Sequence, residues 1–308
     1  DDHNDTANGV TDRPVVSDPP GTEIHQATLA YHGLPDTRLE IGRREITLDD
    51  QRFVGNVAWR QNHQSFDALY VTQESLPRTK LTYAYVDNVN TVRTTDDPIH
   101  SHLLNANVDL ERYGTAVAYY YYLDFDASAR SPFSSASFGV SWTDRFEAGE
   151  FELPLRVELA EQREVGQNPN RIDAGYRRLE LGASRAGASL TAGYELLEGS
   201  PADGQFNTPL ATLFKFNGWA DKFLVTPADG LQDLYLVGEY GFSRYRALLA
   251  FHRFDADSGG DRYGSELDAR MVYTAPWDQQ FVLSFAIFDG DVGFTDTNKL
   301  WIFSEYAF

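Results

Sequence analysis

The sequence predicts an all-β fold, a transmembrane antiparallel up-and-down barrel. Three observations carry this: the ending of the chain, about fifteen alternating segments, and the lengths of the connections between them. The last eight residues read Trp301-Ile-Phe-Ser-Glu-Tyr-Ala-Phe308. Leu300, Ile302, Tyr306 and Phe308 share one side of an extended strand, with Ser304 the break in that row. A terminus fraying into water gains little from a closing phenyl ring. A strand that pairs, faces lipid and closes a cylinder does gain from one. Tyr306 and Phe308 resemble the terminal signal read by the barrel-insertion machinery of the bacterial outer membrane.

Period-two alternation marks strands over 24–32, 36–45, 64–73, 79–87, 101–111, 115–124, 133–144 and 153–159. It continues over 174–184, 188–196, 232–241, 244–254, 267–273, 281–287 and 298–308. In Leu153-Pro-Leu-Arg-Val-Glu-Leu159 the odd positions are aliphatic, and Arg156 and Glu158 fall on the other side. Ala188–Leu196, Leu267–Tyr273 and Phe281–Ile287 repeat the pattern. Tight-turn chemistry separates alternate pairs at 33–36, 75–77, 111–114, 146–149, 184–187, 241–243 and 275–278, through Gly, Pro, Asn and Asp. Longer polar connections alternate with them at 46–63, 88–100, 125–132, 164–173, 199–231, 255–262 and 289–297. Short periplasmic turns and long outer loops are what a membrane barrel requires. A soluble sandwich has no reason to keep that alternation.

The composition agrees. Mean hydropathy is -0.43, and no run approaches the roughly 20 apolar residues of a spanning helix. Spanning strands escape that test because only alternate positions meet lipid. Aromatic residues make up 14% of the chain, which suits strands and interfacial girdles. The absence of cysteine excludes disulfides, thiolate chemistry and cysteine metal sites. A net charge of -20 argues against nucleic acid as a partner. Much of the acid sits in loop-like segments such as Asp255–Asp261, which water solvates, and no spacing there is specific for calcium.

With Phe308 on the periplasmic side, residues 1–23 and 199–231 become extracellular loops of a single barrel domain spanning 1–308. The first and last strands then both descend. An antiparallel cylinder cannot close with two descending neighbours, so strands are expected to precede Asp1, unless the count is off by one. The chain begins with neither Met nor a signal peptide, as a processed or cut chain would.

The segment Leu39–Ala68 contains Gly42-Arg43-Arg44, Asp49 and Asp50, Arg52, Gly55, Trp59-Arg60-Gln61 and Phe66-Asp67-Ala68. In that pattern it resembles the alginate-export family of outer-membrane porin-like channels, with Arg44 where the family has Gln. Leu213–Leu224 resembles a loop segment of the same family. The likeness runs through the strands to Phe308, and the two loop patches are its specific part. It implies a barrel of about 18 strands, an odd number of them ahead of this chain. It also implies outer-membrane lipid and lipopolysaccharide as surroundings, and a small hydrophilic solute or a uronate-type saccharide as cargo.

Physically, 46–63 is odd for a solvated loop, because it joins cations to Phe53 and Trp59. It is expected to fold into the lumen and to present Arg44, Arg52 and Arg60, whose forks suit carboxylates. The alternative is that these arginines pair with Asp49, Asp50 and Asp67 to hold the loop's shape. Inward positions pair Arg38 with Glu40, Arg156 with Glu158, Arg178 with Glu180 and Asp268 with Arg270, on one face about 7 Å apart. Mixed signs make a transverse field rather than a cationic tube, which favours a channel for small solutes over an exporter of polyanions. An outer-membrane hydrolase is the enzymatic rival, yet no Gly-x-Ser-x-Gly or His-Glu-x-x-His pattern occurs. His100 and His102 could share a strand face but lack a third ligand, so no metal, cofactor or catalytic residue is expected.

Overall fold

The computed structural model describes residues 3–126 and 129–306. Strands β1 (Ala27–Leu34), β2 (Thr37–Arg44), β3 (Ser65–Gln73), β4 (Thr79–Asn90) and β5 (Asp96–Asp109) open the chain. They are followed by β6 (Thr115–Leu123), β7 (Ser135–Ala148), β8 (Phe151–Glu164), β9 (Asp173–Arg185) and β10 (Ala188–Leu197). A small hairpin, β11 (Gly199–Ser200) and β12 (Gly204–Gln205), leads to β13 (Leu231–Phe242) and β14 (Tyr245–Asp255). The chain closes with β15 (Arg262–Thr274), β16 (Gln280–Gly290) and β17 (Thr297–Glu305). All but the small hairpin form one 15-stranded sheet in chain order, each strand antiparallel to the next.

Fifteen segments were expected and fifteen strands pair, but several boundaries move. β4 and β5 run on to Asn90 and back from Asp96, so the long connection read at 88–100 shrinks to 91–95. A bulge is the reason. Val86 faces Ser101 but Asn88 faces Pro98, and the extra residue breaks the period-two pattern that marks a strand. β7 and β8 also outrun their predicted spans, through Phe146 and Phe151 at the turn end. β17 ends at Glu305; Phe308 lies outside the described residues, and Tyr306 is exposed.

Polarity across the sheet is inverted relative to a soluble protein. On β15, Glu266 and Asp268 are 1% and 0% exposed, while Leu267 between them is 37% exposed. Along other strands Leu29, Ile41, Leu104, Leu159, Leu179, Leu190, Leu249, Leu283 and Ile302 face outward. No second sheet or helix layer covers them among the described residues. The core instead lies on the polar face, where Tyr119, Tyr121, Tyr176, Phe206 and Phe254 are buried among Ser137, Gln162, Glu195 and Asp233.

The sheet must be curled. Within one loop, Asp49 meets Asn105 of β5, Arg52 meets Glu195 of β10, and Trp59 meets Trp301 of β17. In a flat sheet β5 and β17 would be about 48 Å apart. Ten residues of chain reach at most about 35 Å. β1 and β17 occupy the two ends of the sheet, run in the same direction, and do not pair with each other among the described residues.

Candidate functional site

Two connections fill the concave face. The first, between β2 and β3, buries Ile46, Leu48, Phe53 and Val54. Phe53 lies 5.0 Å from Tyr119 and 5.3 Å from Tyr176 of the wall and 5.9 Å from Phe206 of the second connection, so the apolar residues of 46–63 enter because aromatics receive them there. The second connection, between β12 and β13, lies within 199–231, expected to be a long extracellular loop. Its middle turns back onto the concave face, where Phe206, Leu210, Phe214 and Trp219 are buried.

The two connections bond to each other. Val54 and Leu210 form a parallel bridge, Gly55 N–H donates to Leu210 O at 2.9 Å, and Thr212 N–H donates to Gln51 O at 3.1 Å. A Cβ on Gly55 would stand 2.2 Å from Thr212 Oγ1, so glycine permits this approach. Gln64 Nε2 then donates to Gly55 O and Leu210 O. The two segments thus act as one inward body.

Its charges are held by the wall. Arg52, 1% exposed, donates to Glu195 through Nε at 2.6 Å and Nη2 at 3.3 Å, to Thr208 Oγ1 at 2.8 Å and to Asn217 Oδ1 at 3.1 Å. Burial works against its charge, and the Glu195 carboxylate outweighs that cost, so the guanidinium's affinity for its proton is raised. Asp50 sits against Arg178 Nη1 at 2.6 Å and Arg156 Nη2 at 3.3 Å. Its burial too disfavours ionisation, but Arg178 and Arg156 overcome it and hold the carboxyl below the usual range. Lys215 donates to Asp50 O at 2.8 Å and is exposed beside these arginines.

A second cluster lies near the β17 edge. Asp221 takes Arg60 Nη2 at 2.9 Å and Lys299 Nζ at 2.8 Å. Asp18 stands 3.8 Å from Arg60 Nη1. Trp59 stacks on Phe214 at 4.0 Å, and the Arg270 guanidinium lies 4.3 Å from Trp59 and 4.4 Å from Trp219. Residues 3–20, the 58–63 limb and 298–305 border a cavity of about 1160 Å³. The expected extracellular segment 1–23 is packed against 60–62, where Asp18 accepts from Gln61 N–H and Pro19 O accepts from Asn62 Nδ2. Toward the short turns the concave face opens. One cavity of about 490 Å³ is lined by Arg38, Glu40, Arg44 and Lys80, and another of similar size by Arg156 and Glu180.

Of the sequence-predicted ladders, Arg38–Glu40 at 2.6 Å, Arg156–Glu158 at 2.9 Å and Arg178–Glu180 at 2.8 Å form. Asp268 and Arg270 do not pair. Asp268 accepts from Trp219 N–H at 3.4 Å, and Arg270 is drawn between two indoles and onto Ser284. Arg44 lies on β2 rather than on the loop, pairs with Glu40 and stacks over Tyr70. Arg52 does not face the lumen, because its donors are spent on Glu195, Thr208 and Asn217. The shape-holding partners also differ from Asp49, Asp50 and Asp67: Asp50 pairs with Arg156 and Arg178 of the wall, and Asp67 with Arg43 at 2.8 Å. Lys215, Asn217, Trp219, Asp221 and Lys299 were not singled out. The one available signal was that 213–224 shares the mixed aromatic and cationic character of 52–60.

No protein-family model matches the chain, and no curated protein does. Solved structures do. OpdK of Pseudomonas aeruginosa with vanillate is 14% identical, over 88% of this chain and 77% of that one, with a TM-score of 0.68. Acinetobacter baumannii OccAB4 is 15% identical over 90% and 73%, with a TM-score of 0.72. P. aeruginosa OpdL is 15% identical over 91% and 81%, at 0.70. The chain therefore has the fold of the outer-membrane β-barrel porins, and identities this low show the fold alone.

Proposed function

We propose that this chain is a passive channel of the Gram-negative outer membrane for small hydrophilic solutes, anionic ones among them. The observation that carries it is the inverted alternation, with charge on the concave face and aliphatic rows outside. Only a sheet with hydrocarbon around it and water within is stable in that arrangement. Solutes would pass the open short-turn side, lined by Arg38, Glu40, Arg156 and Glu180, and meet the inward body at Arg178, Lys215 and Asp50. The reading includes a periplasmic C-terminus, Tyr306 and Phe308 as insertion signal, and lipid and lipopolysaccharide as neighbours.

Kinship with the alginate-export family rests on 39–68 and 213–224 and remains part of the proposal; the Occ and Opd structures of similar fold lend it no support. Polysaccharide export is the weaker reading, since two loops bonded to each other cross the concave face. Hydrolysis is weaker still. The buried His252 bonds to Asp233 and stacks on Tyr235 and Phe254, with no hydroxyl nucleophile bonded to it among the described residues.

Planar-bilayer recording tests this directly. The folded protein should give discrete conductance steps that uronate oligomers do not block, and Lys215→Glu should lower the anion preference. Folded protein that inserts but conducts nothing would sink the channel, while block by the oligomers would favour the exporter.

A further inference from the structure

Three side chains far apart in sequence meet where the β1, β2 and β3 ends lie side by side. His25 precedes β1, Glu45 follows β2 and His63 precedes β3. The β1–β2 register pairs Ala27 with Arg43, so its continuation sets His25 opposite Glu45. His25 Nε2 and His63 Nδ1 each lie 2.7 Å from the same oxygen, Glu45 Oε1. Asn56 Nδ2 donates to the other oxygen, Oε2, at 2.7 Å, which aims Oε1 at the two imidazoles. The rings stand edge to face, 5.4 Å apart, and the three donor atoms lie within 4.8 Å of one another. All three side chains are partly exposed, so an ion in water can reach them.

We propose that His25, Glu45 and His63 bind a divalent ion of the zinc class. Two imidazole nitrogens and one carboxylate oxygen, with a fourth position left to water, form a ligand set zinc accepts. Nitrogen donors select zinc, nickel, copper or cobalt over magnesium and calcium. Tetrahedral ligands at zinc distances stand about 3.3 Å apart, so each imidazole backs off the carboxylate by about half an ångström while the two ring nitrogens, within 4.8 Å of each other, settle to a similar spacing. Asn56 would keep the carboxylate oriented, a supporting role that usually matters 10- to 100-fold in affinity. The ion would join the lead into β1 to both ends of the inward loop, closing the neck through which 46–63 enters. The site goes beyond the channel reading and does not depend on it.

The experiment uses the full, untagged chain folded in detergent, titrated with CoCl2 and then ZnCl2. Wild type should take one cobalt ion with an intense visible absorption band that zinc removes. Asn56→Ala should weaken binding about 10-fold or more, and His63→Ala should abolish the band. Folding of each variant is checked by its heat-modifiable gel mobility. Should His63→Ala misfold, His25→Ala carries the same test from a segment outside the sheet. As a second reading, ZnCl2 should raise the unfolding temperature of wild type and not of His25→Ala. No band in wild type, or a band that survives both histidine substitutions, overturns the site.

Discussion

The inward connection contains two arginines in opposite situations. At its centre Arg52 is sealed, its guanidinium shared among Glu195, Thr208 and Asn217. On its returning limb Arg60 shares Asp221 with Lys299, and its Nη1 has no hydrogen-bond partner although it is buried at the margin of a large cavity. Both residues looked alike in sequence, as cations beside aromatics. The difference lies in how fully the donors are engaged: Arg52 bonds one carboxylate and two neutral acceptors, whereas Arg60 shares Asp221 with Lys299 and reaches Asp18 only at 3.8 Å. A saturated arginine holds shape, and an unsaturated one keeps capacity for a solute.

The strongest way to break this contrast is Arg52→Ala. It strands Glu195, deep in the wall, and should cost about 3 to 5 kcal/mol of stability. Thermal unfolding in detergent reads this, and a loss below that of Arg60→Ala would reverse the assignment. Gly55→Ala tests whether the two connections act as one body. Its methyl would collide with Thr212 and should cost about 1 to 3 kcal/mol, with 206–217 becoming faster in hydrogen exchange; unchanged exchange would show the connections to be independent.

Arg60→Ala should cost less, about 1 to 2 kcal/mol, because Lys299 still neutralises Asp221. Its signature is instead a lowered anion preference in bilayer recordings, and an unchanged preference would remove Arg60 from the solute path. The smallest effect is pH dependence through Asp50. Because its folded pKa is lowered, its contribution is present above the ordinary aspartate value of about 3.9 and is lost as pH falls through the lowered folded value. Asp50→Asn should therefore be less stable than wild type at neutral pH, with the gap closing as pH falls through the acid range, and a gap that stays constant down through that range would refute the Arg156 and Arg178 clamp.

The sequence made the rows legible because a strand's period is local. Leu267 and its neighbours Glu266 and Asp268 announce two faces without reference to anything else in the chain. It also marked 46–63 as an inward segment, since Phe53 and Trp59 had to be buried somewhere. Pairings were legible where partners lie two apart on one strand, as in Arg156–Glu158. Asp268–Arg270 failed under the same rule, because Trp59 and Trp219 arrive from two distant connections and take the guanidinium. His25, Glu45 and His63 went unnoticed because strand register, not spacing, gathers them.

Alternation and turn chemistry by themselves determined that fifteen strands follow one another in order, which rows face outward, and which side holds the long connections. These depend on neighbours in the chain, through backbone pleat and turn geometry. Only the curled sheet decided which charges meet. Arg52 and Glu195 are 143 positions apart and touch because curvature brings the inner faces of remote strands onto a single loop. Nothing local to either residue encodes that encounter.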